Sequence, residues 1–270
     1  MEKNSEILRG IDINEVKVFE DSQYEHARYL AESNEGWDLV YQKKSAEVWT
    51  KEMPESYFKM IKAATTLNVS ADVVYDVLHD PDYRSSWDKY MVKAEDIGVL
   101  NPNNDLCYYA LASVPPIKSR DFVMQRSWLD IGNEKFICTR SVWHDDYPPT
   151  RSFIRGFIYL TVYFIKFIDE NSCQVTYLTY SDPKGKLPSW LINRITKIIA
   201  PKVLKKLHKA CLNYEAWKRS HNPLQKPWRY PEQLEGAPRV DLSKCVPKHV
   251  VQDIVDETSL QLDCDEIKED

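Results

Sequence analysis

The sequence predicts an α+β chain: a curved antiparallel sheet of about nine strands, with one long C-terminal helix gripped across its concave face. Three observations predict it. Alternating apolar runs separated by short polar turns recur between residues 37 and 180, and short turns favour antiparallel pairing of neighbours. A long amphipathic stretch, Leu187 to Lys218, follows them. The order is helix, three strands, two helices, six strands, long helix, so the last element is the one long enough to cover a sheet of that size.

Residues 1 to 20 have no periodicity and are expected to form a loosely ordered N-terminal arm. In DSQYEHARYLAES (21 to 33), Tyr24, Ala27, Leu30 and Ala31 fall at helical spacing. After Gly36 come three strand runs, Trp37 to Gln42, Glu47 to Lys51 and Tyr57 to Thr66, the first two joined by the polar turn KKSA. Ser70 caps a second helix, ADVVYDVLHD, with Asp72 in its positive first turn. Asp80-Pro81 ends that helix, and Asp82 is expected to cap a short third one through YRSSWDKY. Six more strands are expected near 92–99, 105–113, 120–129, 135–143, 153–168 and 173–180. Of these, FIRGFIYLTVYFIKFI (153 to 168) has too many apolar positions for a strand with one wet face. Both faces must meet apolar material, either a filled cavity or ordinary helix packing.

In the long helix, Ile192, Ile195, Ile199, Val203, Leu207, Ala210 and Tyr214 recur at steps of three and four. The opposite face carries Arg194, Lys197, Lys202, Lys205, Lys206 and Lys209. Ser189 after Pro188 offers an N-cap, and Pro201 predicts a kink. From Lys184 to Arg229 there are twelve Lys and Arg against one acid, Glu215, a net +11 in a chain of net −5. With Trp190, Trp217 and Trp228 nearby, this face suits transient contact with an anionic membrane surface, where each base contributes about 1 kcal/mol and salt screens the attraction. The candidate contact residues are Trp190, Arg194, Lys197, Lys205 and Lys209. The blander alternative is the solvated outer face of a packing helix.

After residue 233 the composition changes. Leu234 to Asp270 holds ten acids against four bases, net −6, with scattered small apolar residues, so a disordered acidic tail is expected. An alternative is an acidic strap that folds back on the basic helix and weakens membrane contact.

With 270 residues, 43% of them hydrophobic, the chain can hold one large domain or two small ones. Seven glycines argue against phosphate-cradling loops, and GxSxG, HExxH, P-loop and GxGxxG motifs are missing. His79 and His144 sit beside Asp80 and Asp145, a pairing chance supplies readily in so acidic a chain, so no catalytic residue and no metal site is nominated. Negative net charge and the lack of a reading motif disfavour nucleic acid. Six cysteines with no CxxC pair point to a reducing compartment, the cytoplasm. MEKNSEIL is no signal peptide, and no run approaches the ~20 apolar residues of a membrane span. The expectation is a cytoplasmic monomer that meets membranes only peripherally.

DPDYRSSWDKY (80 to 90), the tyrosine pair at 108 and 109, SRDF (119 to 122), DPKGKLPSWLIN (182 to 193) and APKVLKKLHKACLNYEAWK (200 to 218) together resemble the START domain, a lipid-transfer module. The resemblance covers about residues 20 to 233 and is to the phosphatidylcholine-transfer subgroup. It implies a helix-grip fold of the START and Bet v 1-like type, with the 187 to 218 helix as lid over a lipid cavity. It also implies a phospholipid ligand, phosphatidylcholine or phosphatidylethanolamine, moved between membranes with no cofactor. Alternatives are a lipid-sensing module that signals to a protein partner, a carrier of a sterol or other apolar ligand, and an enzyme acting on an apolar substrate.

By the same resemblance Arg84 holds the lipid phosphate, with Asp88 four residues on to hold Arg84 in place. The choline cage falls on Tyr109, Phe122 and Tyr159. The family has Trp and Tyr at the first two of these, and Thr161 stands where it has a glutamine. Arg120 and Asp121 also match the family; adjacent strand residues face opposite sides, so at most one points into the cavity, and a structural ion pair is expected. Candidates for lining the acyl chains are Phe157, Val162, Phe164 and Tyr177 with Ile195, Ile199, Val203 and Leu207 of the lid.

Overall fold

A computed structural model describes residues 15–43, 46–53, 58–113, 116–188, 190–191, 200–248 and 255–261. Helix α1 (Asp21–Glu32) leads into strands β1 (Asp38–Lys43), β2 (Ala46–Lys51) and β3 (Met60–Leu67), then α2 (Ala71–His79) and α3 (Pro81–Trp87). Seven strands follow: β4 (Met91–Asn101), β5 (Asn104–Leu111), β6 (Arg120–Asp130), β7 (Glu134–Ser141), β8 (Ile154–Arg155), β9 (Phe157–Asp169) and β10 (Ser172–Asp182). Helix α4 (Ala200–Lys218) follows, and two short 3₁₀ turns, Pro231–Leu234 and Leu242–Lys244, come after it. The sheet runs β1-β2-β3-β10-β9-β7-β6-β5-β4, antiparallel throughout except that the two-residue β8 lies parallel to β6. It is open, with β1 and β4 at its ends, and β8 is the one strand beyond those expected.

Each face of the sheet has its own core. On one side α2 and α4 bury Val74, Tyr75, Leu204, Leu207 and Tyr214 against Val48, Ile137, Ile165 and Val175. On the other, α1 buries the expected stripe, Tyr24, Ala27, Leu30 and Ala31, against Phe136, Cys138, Val162, Phe164 and Leu178. The apolar run in β9 is explained on both sides: Thr161, Tyr163 and Ile165 face one layer, and Leu160, Val162 and Phe164 the other. Lys62, fully buried between the sheet and α1, donates to Ser33 O at 2.7 Å and Asn34 Oδ1 at 2.8 Å, and its ammonium lies 4.5 Å from the Trp37 ring centroid and 5.0 Å from that of Trp49. It thereby caps the end of α1.

Three local expectations differ. Asp80, not Asp82, caps α3: its Oδ1 accepts from the amides of Asp82 (3.1 Å) and Tyr83 (3.3 Å), because Pro81 takes the first helical position, where its missing N–H costs nothing. Residues 15–20, expected to be loose, are tied down, since Lys17 O accepts from Gln125 Nε2 (2.7 Å) and Arg140 Nη2 (2.8 Å) and Phe19 is buried against Tyr24. The expected disordered tail is docked over its described residues. Val99 N donates to Pro238 O at 2.8 Å and Val240 N to Val99 O at 3.2 Å, so residues 238–240 cover the open edge of β4. A Cβ on Gly98 would lie 3.0 Å from Val240 N, a crowding only glycine avoids. Backbone pairing, which composition does not register, holds this segment.

Of the long helix, Trp190–Leu191 and Ala200–Lys218 are described as helical, while Leu187 and Pro188 are not helical. Ser189, Ile192, Arg194, Ile195, Lys197 and Ile199 lie outside the described residues. The far end of α4 is anchored in charge: Asp80 Oδ2 accepts from Tyr214 Oη at 2.9 Å and Lys218 Nζ at 2.8 Å, with the Lys218 and Asp80 side chains 6% and 1% exposed. Beside it Asp76 accepts from Lys226 (2.7 Å), the Trp228 indole (2.8 Å) and Arg229 (2.5 Å).

Candidate functional site

Between the concave face, α3 and the lid lies a cavity of about 860 Å³. That is at the upper end of the range for ligand pockets, ~300–1,000 Å³. Strand alternation selects its walls. In β5 Cys107, Tyr109 and Leu111 face inward, and in β6 Phe122, Met124 and Arg126 do. Tyr109 and Phe122 are directly paired across the two strands. From the lid come Leu187, Leu191, Val203 and Lys206.

The polar end is built where α3 meets β5. Arg84 Nη2 donates to Leu78 O at 2.6 Å, and its guanidinium carbon sits 4.9 Å from the centroid of the Trp87 ring. Asp88 lies as far as 4.0 Å from Arg84 Nη1; its strong partner is Tyr109, whose hydroxyl donates to Oδ2 at 2.5 Å. The Leu78 carbonyl, more than Asp88, therefore orients Arg84, leaving guanidinium donors directed at the cavity. Burial, with the Asp88 carboxylate beside it, holds the Tyr109 phenol well above its usual range. Burial favours the neutral form of two further cavity groups: the Cys107 thiol is pushed up to about 12, and the His79 imidazole is driven well below its ordinary value.

Of the expected site residues, Arg84, Asp88, Tyr109 and Phe122 converge on this cavity, and Tyr177 and Val203 line it. Tyr159 does not reach it. In β9 Leu160 pairs with Tyr180 and Ile158 with Ser181, so Tyr159 is an extra residue, a bulge that puts it on the same side as Leu160. There it stacks on Tyr180 at 4.4 Å, and Phe157, another expected lining residue, packs edge-on against it at 4.9 Å. Thr161, beyond the bulge, faces in and shares a hydrogen bond with Thr179 at 2.8 Å. Val162 and Phe164 lie under α1, and Leu207 is 1% exposed in the α2/α4 core, so none of the three lines the cavity. Gly156 sits behind Phe122: a Cβ there would lie 2.3 Å from Phe122 Cε1, so the ring takes its place only against glycine.

Arg120 and Asp121 do face opposite ways, but each pairs elsewhere. Asp121 accepts both arms of Arg155 at 2.9 Å, while Arg120 reaches the cavity wall and Glu257 at 2.6 Å. Sequence reasoning missed the cavity pair Arg126 and Asp105, joined through two hydrogen bonds of 2.8 and 2.5 Å. Each is polar at an inward or neighbouring position of a strand, and only the β5–β6 register, which the sequence does not display, brings them opposite one another. Lys205 and Lys209 are exposed on α4, whereas the Trp190 indole donates to Leu260 O at 2.8 Å. Among the described residues no group of three or more His, Cys, Asp or Glu is placed to hold a metal ion, and no helix is long and apolar enough to cross a membrane.

A long helix gripped by an open antiparallel sheet, over a cavity with a cationic end, defines a helix-grip ligand-binding domain. The chain belongs to the START domain family, whose model matches residues 17–218. It is 38% identical to mouse START domain-containing protein 10 over 236 residues, 87% of this chain and 81% of that protein. It is 26% identical to mouse phosphatidylcholine transfer protein over 206 residues, 73% of this chain and 95% of that protein. The crystal structure of human STARD10 superposes with a TM-score of 0.82 at 37% identity, covering 90% of this chain and 98% of that one.

Proposed function

We propose that this protein binds one phospholipid in the cavity and transfers it between membranes. The observation that carries the reading is the convergence of Arg84, Asp88 and Tyr109 at one end of an otherwise largely apolar volume of about 860 Å³. Arg84 holds the phosphate through its open guanidinium donors, and the faces of Tyr109 and Phe122 lie beside the headgroup. Tyr177 and Val203 border the acyl chains. Burying each CH₂ gains about 0.8 kcal/mol from water, as the bilayer also does, so an apolar cavity makes extraction close to neutral. The phosphatidylcholine transfer named for one relative supports a choline lipid, and phosphatidylethanolamine fits the same phosphate site.

The reading is of a binder and not an enzyme: the cavity's thiol and imidazole are shifted away from nucleophilic and general-base use. The five described cysteines are buried and unpaired, which suits a reducing cytoplasm. Lys205 and Lys209 are assigned to transient contact with an anionic membrane, the protein acting as a monomer. Native mass spectrometry of the purified protein, followed by lipid extraction, tests the proposal. One phospholipid per chain is the expected result, and the choline to ethanolamine ratio reads headgroup choice. A protein that stays empty after exposure to mixed phospholipid vesicles rules the reading out.

A further inference from the structure

Arg120 lies at the end of the cavity where the lid begins, in the wall with Pro183, Leu187 and Leu191. Its guanidinium donates to the main-chain oxygens of Lys118, Pro183 and Lys184 and to the Glu257 carboxylate at 2.6 Å. Both side chains of that ion pair are buried, 7% and 3% exposed. The second Glu257 oxygen accepts from Lys118 N at 2.8 Å. Alongside, Lys186 N donates to Val255 O and Glu257 N to Lys186 O, each at 2.9 Å, a short parallel bridge to the segment that opens the lid. The Trp190 indole then reaches Leu260 O at 2.8 Å. Gly185 permits this approach: its φ is +75°, and a Cβ would lie 2.8 Å from Val255 O.

Three segments distant in sequence, 118–120, 183–188 with 190–191, and 255–260, are thus tied together at one end of the cavity. We infer that residues 255–260 are an intramolecular latch that clamps the start of the lid to the sheet, and that lipid exchange requires its release. The inference rests on the proposed lipid reading for its second half only. A carboxylate buried this deeply is stable only while Arg120 answers it, so the latch has two states: engaged and dry, or released and hydrated. Its action is local. Lys202, Lys205 and Lys209 stay exposed, so the clamp acts on the start of the lid and leaves these three lysines uncovered.

The test uses two full-chain variants, Glu257→Ala and Trp190→Phe, the second keeping the ring and removing only the indole N–H. Hydrogen exchange followed by mass spectrometry, without vesicles, reads the latch; transfer of fluorescent phosphatidylcholine between neutral vesicles reads its consequence. Exchange over 183–191 is expected to quicken by at least about tenfold in Glu257→Ala and by less in Trp190→Phe, with faster transfer in both. Should Glu257→Ala lose protection throughout the chain, Trp190→Phe decides. Unchanged exchange over 183–191 in both variants overturns the latch. Faster exchange with transfer at the wild-type rate overturns its control of lipid entry. If no form carries phosphatidylcholine, the lipid reading falls, and the exchange data still decide whether the latch exists.

Discussion

Arg84 sits where a carbonyl, an indole face and a carboxylate fix its direction but not all its donors. A charge-assisted hydrogen bond contributes about 1.5–3 kcal/mol, so Arg84→Ala should weaken phospholipid retention by roughly 10- to 100-fold. Titration of the delipidated variant with phosphatidylcholine, followed by native mass spectrometry, measures the loss. Lys62 offers a pH prediction. Burial, with Lys51 nearby, pushes its pKa down to about 8 from the ordinary 10.5. Between those values the unfolded chain holds a proton that the folded chain does not, so the stability of the wild type relative to Lys62→Met should rise with pH across that window and be flat below it. Urea melts of both proteins at intervals from pH 7 to 10.5 check this. Arg84, Asp88 and Tyr109 were legible because a motif carries them; Arg126 and Asp105 were not, since neither residue predicts the other until the strands are laid side by side.

The elements themselves were legible where periodicity acts alone. The α1 stripe is the expected one to the residue, since a surface helix needs only one apolar face. Strand phase was not, because the β9 bulge shifts it by one position, and a regular strand running back from Thr161 would have turned Tyr159 and Phe157 inward. The far end of the lid depends on Asp80, which caps α3 and also accepts from Tyr214 and Lys218 of α4. Asp80→Ala removes the cap and leaves the Lys218 ammonium buried without its partner, so a loss of about 3–5 kcal/mol is expected. Denaturant unfolding measures it. The side-chain amide of Asp80→Asn, which keeps an acceptor but not the charge, should recover part of the loss.

For the whole molecule, charge is unevenly divided: a net +11 between Lys184 and Arg229 within a chain of net −5. Replacing exposed Lys205 and Lys209 by Ala should weaken binding to anionic vesicles by roughly 30-fold at low salt, at about 1 kcal/mol per charge, and the difference should shrink as salt is raised. Vesicle co-sedimentation across a salt series reads both effects; equal binding of variant and wild type would place the membrane-facing surface elsewhere. The acidic tail was the least legible part, because its described residues are held by backbone bridges at Val99 and Lys186 and by a buried glutamate, none of which composition reveals. Tyr159, the extra residue in β9, makes the make-up of the cavity wall partly a matter of strand length. A chain with the same residues from 157 to 161 but no bulge would turn Tyr159 and Phe157 into the cavity in place of Ile158, so a change of one residue in the length of β9 or β10 would rebuild the wall without altering any of those side chains.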